Sequence, residues 1–247
     1  MCSAAGACFI FITLLRDQRY FRLRLRNMLV VHWRTWLRML RVGIPVGMES
    51  LFTQLGYMLA NSMAISLGTF AGSVNQIVNT FNSFTTFPHA ICIYVALSAV
   101  GHLLGAKRYE DARRAGRNIW YVGLVASLVI GIPVCLFGEQ LCHIYSSDPE
   151  TIRACAKVMW WLIPMNLAGL TVNCFDPQLR AGGDVNYVMM NTLIAVWLIR
   201  LPLTYLFCFV WNMGVPGIFI ANTIALVCRA IVAGIRVSGK KWMYKKV

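Results

Sequence analysis

From residue 43 to residue 237 the chain is a succession of apolar stretches, each about as long as a membrane is thick. A hydrocarbon core of ~30 Å takes about 20 apolar residues per helical crossing. The stretches predict six spans, at 43–67, 74–104, 118–137, 157–178, 187–210 and 216–236. The expected fold class is an all-α membrane protein, with a six-transmembrane-helix lobe over residues 42–237. Charged residues are 13% of the chain, well under the ~25% of soluble domains. That leaves no room for a separate soluble catalytic domain, so no enzyme is expected.

The formal net charge of +14 raises the question of nucleic acid. Its distribution answers it. Eight Arg lie in 16–41, and Lys107, Arg108, Arg113, Arg114 and Arg117 sit between the second and third spans. Arg180 lies between the fourth and fifth, and Arg236, Lys240, Lys241, Lys245 and Lys246 follow the last. The alternate loops, 68–73, 138–156 and 211–215, carry only Arg153 among basic residues of this kind. That asymmetry is the positive-inside pattern and predicts both ends of the six-span unit in the cytoplasm. The basic clusters then face anionic head groups, and no nucleic-acid partner is implied. The nine Cys are scattered without a C-x-x-C, and no metal site or disulfide framework is expected. Cys142 and Cys155 could pair in an outer loop, though nothing requires it.

Residues 4–15 are apolar but only half a span long, and their positive charge follows rather than precedes them. A signal peptide has the reverse order. Residues 1–15 therefore read as the remnant of a preceding transmembrane helix; a re-entrant or interfacial segment is the alternative. In 16–41, Leu29, Trp33, Leu37 and Leu40 recur at helical spacing, with Arg34, Arg38 and Arg41 off that stripe. This describes a basic amphipathic linker lying in the interface. Residues 238–247 read as a basic cytoplasmic tail.

The polar residues inside the spans are the candidates for function. Asn75, Asn79, Asn82, Thr86 and His89 are spaced 4, 3, 4 and 3 apart, on one face of a helix. Ser50, Gln54, Tyr57 and Asn61 make a similar stripe on the first span. Lipid cannot satisfy an amide, so such stripes face protein or water. Helix–helix contacts at ~1 kcal/mol each would explain one Asn. The number present favours a hydrated cavity, lined by Gln54, Tyr57, Asn61, Asn75, Asn79, Asn82, Thr86 and His89. His89 is either a packing residue or a proton relay. Glu49, four residues after Pro45, is the cation-coupling candidate, or else a structural partner of Arg38 or Arg41. Arg200 and Arg229 read as structural intramembrane charges, bonding to carbonyls freed near Pro202. Asp176 reads as a structural partner of Arg180. "LRAGGD" reads as a helix stop at Gly182–Gly183 followed by an Asp184 cap, not a phosphate loop. The stripes contain no nucleophile–base pair, so no catalytic residue is assigned.

Six segments, in order, resemble the C-terminal half of multidrug and toxic compound extrusion (MATE) transporters. They are "RVGIPVGMESLFTQLG", "AVGHLLGAKRYEDARRAGR", "YSSDPET", "LRAGGDVNYVMMNTLIAVWLIRLPLTYLF", "GVPGIFIANTIALVCRA" and "GKKW". The resemblance runs from about residue 38 to residue 242. It implies half of a twelve-helix fold with a cavity between two lobes. It also implies plasma-membrane export of organic cations or drugs by antiport with Na⁺ or H⁺, without any other cofactor. The partners it implies are the lipid bilayer, small organic cations, and a missing N-terminal lobe or a second copy as a homodimer. The acidic residue some members carry in the helix matching "AKVMWWLIPMNLAGLTVNCF" is absent here, and Ala225–Leu226 replace an Asp-Trp in the last helix. Two alternatives remain: a lipid-linked sugar flippase of the same superfamily, and a non-transporting truncated remnant or interaction subunit.

Overall fold

The computed structural model describes residues 33–145, 148–239 and 242–243. The expectations for residues 1–15 and for most of the linker lie outside these residues. The chain divides into two units, 1–44 and 45–247. In the first, the described residues begin a long helix, α1 (Trp33–Ser66). There Trp33, Leu37 and Leu40 are exposed, as is Arg41.

The second unit is all helix among its described residues. After α1, Gly68 takes φ 110°, which glycine alone adopts without strain, and α2 (Thr69–Thr85) begins. The sequence predicts one helix over 74–104, but the structure has two. Pro88 has no N–H for the Phe84 carbonyl, and it sits in the first turn of the new helix, where that N–H would be unpaired anyway. Helix α2 therefore ends at Thr85 and α3 (Phe87–Gly105) starts afresh.

Helix α4 (Tyr109–Leu136) starts well before its apolar stretch. Glu110 and Asp111 sit in its first turn, where negative charge suits the helix dipole. A short α5 (Gly138–His143) leads to α6 (Pro149–Met159). Asp148 caps α6, accepting bonds from the Glu150 and Thr151 amides and the Thr151 hydroxyl. The Thr151 hydroxyl and amide hold this carboxyl below its usual range. Helix α7 (Leu162–Ala181) follows α6 with a 43° bend, so the span expected at 157–178 is the second arm of a bent pair.

Helix α7 stops where predicted. Gly183, at φ 81°, reverses the chain into α8 (Val185–Val210). The Asp184 side chain does not cap α8. It takes an ion pair with Arg236 at 2.7 Å instead. Within α8 the backbone widens to π-helix over Ile194–Arg200 and Leu206–Val210, on either side of Pro202. A proline inside a helix removes one hydrogen bond and crowds the turn before it, which a wider turn relieves. Helix α9 (Val215–Ser238) ends the bundle. The segment expected to be a free tail is anchored: Trp242 and Met243 are buried beside Val100, Leu179 and Val188.

Four of these helices are long and apolar enough to cross a membrane, five if the bent pair α6–α7 counts as one. Six were expected. Helix α1 has the length, at 34 residues, but its polar side chains dilute its hydropathy. Helix α7 is the centre of the bundle and packs against α3, α4 and α9. Close approach is what allows this. A Cβ on Gly123 would meet Cys92 Sγ at 2.6 Å and Leu170 Cδ1 at 3.1 Å. The outward faces carry exposed Tyr94, Val122, Val129, Leu198 and Ile235. An apolar exterior over a partly polar interior suits a lipid surround.

A polar cavity walled by α1, α3, α7 and α9

Asn166, Gly169, Asn173, Asp176 and Arg180 are spaced 3, 4, 3 and 4 apart along α7, so they share one face. That face forms one wall of a cavity of about 470 Å³. The facing wall comes from α1, with Glu49, Ser50, Thr53, Gln54 and Tyr57. Asn82, Thr86 and His89 contribute at the α2–α3 break, and Asn222 and Arg229 contribute from α9.

One part of this cavity is an amide network. Asn166 Nδ2 donates to Asn82 Oδ1 at 3.3 Å and to the Leu162 carbonyl at 2.8 Å. His89 Nδ1 lies 3.3 Å from Asn173 Nδ2. An amide nitrogen only donates, so Nδ1 accepts and Nε2 carries the proton in the neutral ring. His89 Nε2 is buried without a partner.

The other part is a cluster of four charges. Arg180 Nη2 donates to both Glu49 oxygens, at 2.9 and 2.8 Å. The Thr192 hydroxyl donates to Glu49 Oε1 at 2.8 Å, and Arg229 Nη2 approaches the same oxygen at 3.3 Å. Arg229 also bonds Asp176 Oδ2. Two carboxylates and two guanidiniums thus balance. Burying any one of them alone would cost several kcal/mol. Glu49 and Asp176 are each only 5% exposed. The two differ in one respect: both Glu49 oxygens are engaged, whereas Asp176 Oδ1 is buried with no partner.

The residues singled out in the sequence divide accordingly. Glu49, Gln54, Tyr57, Asn82, Thr86 and His89 line the cavity. Asn61, Asn75 and Asn79 do not line it; Asn75 Nδ2 donates to Asn61 Oδ1 at 3.4 Å, an interhelical tie between α1 and α2. The stripe was read on one continuous helix; only its later part, Asn82 near the end of α2 with Thr86 and His89 at the break, reaches the cavity. Asp176 was expected to pair with Arg180, but its partner is Arg229. Glu49 takes Arg180 from α7 and Arg229 from α9. The α7 face escaped notice because its polar residues lie inside an apolar stretch; their 3–4 spacing was the available signal.

Arg229 belongs to the charge cluster rather than to a freed carbonyl. Arg200, 6% exposed, also bonds no carbonyl among the described residues. Its guanidinium carbon stands 4.0 Å from the centroid of the Tyr57 ring. Its own carbonyl is taken by the Thr204 hydroxyl at 2.8 Å. A cation over an aromatic face gains about 2 kcal/mol when desolvated. A second cation on the opposite face would stand roughly 8 Å from the first, a repulsion of about 2 kcal/mol at an effective dielectric near 20. For a second cation the two effects oppose each other and are of similar size.

A helical, apolar-surfaced bundle around a charge-balanced polar cavity is the form of one lobe of a membrane transporter. The MatE family model matches residues 45–206, and the chain belongs to that family, whose members are integral membrane transporters and not enzymes.

The chain is 26% identical over 192 residues to the probable multidrug resistance protein NorM of Bacillus cereus, covering 78% of this chain and 42% of that one. It is 25% identical over 234 residues to the Thermotoga maritima protein of the same description, covering 92% and 49%. Among solved structures, a MOP-superfamily transporter from Pyrococcus furiosus, described as having a binding pocket of reverse polarity, aligns with TM-score 0.85 at 18% identity. That alignment covers 98% of this chain and 55% of that one. An outward-facing multidrug resistance MATE transporter aligns with TM-score 0.83 at 18% identity, over 95% and 54%. The chain spans about half the length of the curated relatives it matches, and it corresponds to the C-terminal half of such a transporter.

Proposed function

We propose that the second unit is one lobe of a drug exporter, moving small organic solutes, cations among them, by antiport with Na⁺ or H⁺. The observation that carries this reading is the cavity itself. Amides, hydroxyls, an imidazole and an aromatic ring surround a space of about 470 Å³, too small for a polymer and large enough for a drug fragment.

Coupling resides in the four-charge cluster. The unpartnered Asp176 Oδ1 takes the proton or sodium ion, and neutralising Asp176 weakens its hold on Arg229. Arg229 then turns fully to Glu49, and the tie between α7 and α9 loosens. Glu49, the carboxylate expected from the sequence to couple, anchors α1 to this switch. A cavity between lobes needs a second lobe, which is either a preceding half of the same polypeptide or a second copy of this one. The basic loops support an orientation with both ends of the helical unit in the cytoplasm, and the plasma membrane is the location that drug export calls for.

Reconstitution into liposomes tests this. Ethidium efflux is measured with an imposed Na⁺ gradient and, separately, with a pH gradient. One of the two drives efflux; bound dye that neither gradient moves sinks the antiport reading. Transfer of a lipid-linked sugar is the second reading, because Arg180 and Arg229 reach the cavity. Both are already neutralised by carboxylates, which places that reading behind.

A further inference from the structure

The Tyr57–Arg200 pair takes no part in the charge cluster, and its construction is specific. Gly56 lets α1 approach α8 so closely that a Cβ there would lie 2.3 Å from Val196 Cγ1. Arg200 closes the π-helical segment that contains Val196, and Tyr57 follows Gly56 directly. The close crossing and the widened turn together set the guanidinium over the ring.

Arg200 is more than nine-tenths buried, yet no carboxylate pairs with it among the described residues, and its Nε has no partner. Tyr57 lines the cavity and remains 41% exposed. The charges that line the cavity cancel in two pairs, whereas Arg200, behind Tyr57 and outside the lining, has no carboxylate partner among the described residues.

We propose that Tyr57, backed by Arg200, is a subsite for an aromatic anion: a flat ring system bearing a carboxylate or phenolate. A ring with a guanidinium on one face is depleted of the negative potential that attracts cations. It stacks instead against rings that carry negative charge, and Arg200 supplies the missing counter-charge through and around the ring. The subsite rests on the reading of the cavity as a solute path and narrows the solute: part of what it admits is anionic.

Binding of 6-carboxyfluorescein, an aromatic anion, and of ethidium, an aromatic cation, is measured by fluorescence anisotropy on the full chain in lipid nanodiscs. Arg200→Met weakens carboxyfluorescein binding by about tenfold or more and leaves ethidium binding unchanged or tighter. Arg200→Lys restores part of the loss, because it keeps the charge without the planar stack. Equal loss of both dyes, or no loss of the anion, overturns the subsite. Should Arg200→Met fail to fold, Arg200→Gln decides in its place: a loss of carboxyfluorescein binding at least about tenfold larger than any loss of ethidium binding supports the subsite, and any other pattern overturns it. If the unaltered protein binds ethidium but not carboxyfluorescein, the subsite alone falls. If it binds neither, the reading of the cavity falls with it.

Discussion

Helices α1 and α7 face each other across the cavity but are held in different ways. In α7, Leu162, Met165, Leu170, Val172, Cys174 and Leu179 are all buried, with α3, α4 and α9 packed around them. Along α1, Leu51, Leu55, Met58 and Ile65 are exposed. Among its described residues it buries only small apolar side chains, Ala60 and Ala64, beside a few specific ties: Glu49 to Arg180 and Thr192, Phe52 edge-on to Trp197, Gly56 against Val196, and Asn61 to Asn75; of these, the Glu49 tie is the one that carries charge. One wall is a post embedded in the bundle, while the other is a panel fastened at points. A wall fastened by polar contacts can be released by a change of charge, whereas apolar packing has no such trigger. Under the proposed antiport, α1 is the wall that the charge cluster can release, and α7 is the wall that stays.

Arg229→Leu is the most damaging test of this contrast. It leaves Asp176 buried without its counter-ion, at a cost of about 3–5 kcal/mol. Thermal unfolding in detergent reads it, and a near-wild-type melting temperature would mean the buried ion pair between α7 and α9 contributes little to the fold.

Next in size is a paired comparison of carboxylates. Asp176→Asn keeps α1 fastened but removes the charge and the free oxygen; gradient-driven efflux falls by roughly tenfold or more, and melting falls less than in Glu49→Gln because Glu49 still partners Arg229. Glu49→Gln removes the anchor of α1 and lowers both. Equal behaviour of the two variants in both assays would erase the distinction between switch and anchor.

Gly56→Leu pushes α1 off Val196, with an expected loss of about 1–3 kcal/mol from overpacking, read by chemical denaturation. Asn61→Leu has the smallest effect, about 1 kcal/mol of stability. Efflux stays intact because Asn61 lies outside the cavity. Loss of transport in that variant would bring the Asn61–Asn75 tie back into the solute path.

Much of this was legible in the residues. Span-length apolar stretches dictate helices, and Gly182–Gly183 ends one where expected. Proline was the chief source of error. Pro88 split a predicted span, and Pro202 coincides with π turns that periodicity at 3.6 residues cannot anticipate. The charged partners were also misjudged. Asp176 has Arg180 one turn away, which invites a local pair, but the bonds run to α9 and α1 instead.

By itself the sequence determined the class of the molecule and where its polar side chains could not go. Hydrocarbon has no hydrogen bonds to offer, so amides and carboxylates within a span needed protein or water as partners, wherever those lay. The tertiary structure decided which of them meet. Glu49 and Arg180 stand 131 residues apart, and Glu49 and Arg229 stand 180 apart. No local periodicity carries that information, because it depends on the crossing of whole helices. The same crossings leave Asp176 Oδ1 and Arg200 Nε without partners among the described residues, and the proposed coupling site and anion subsite rest on those two groups.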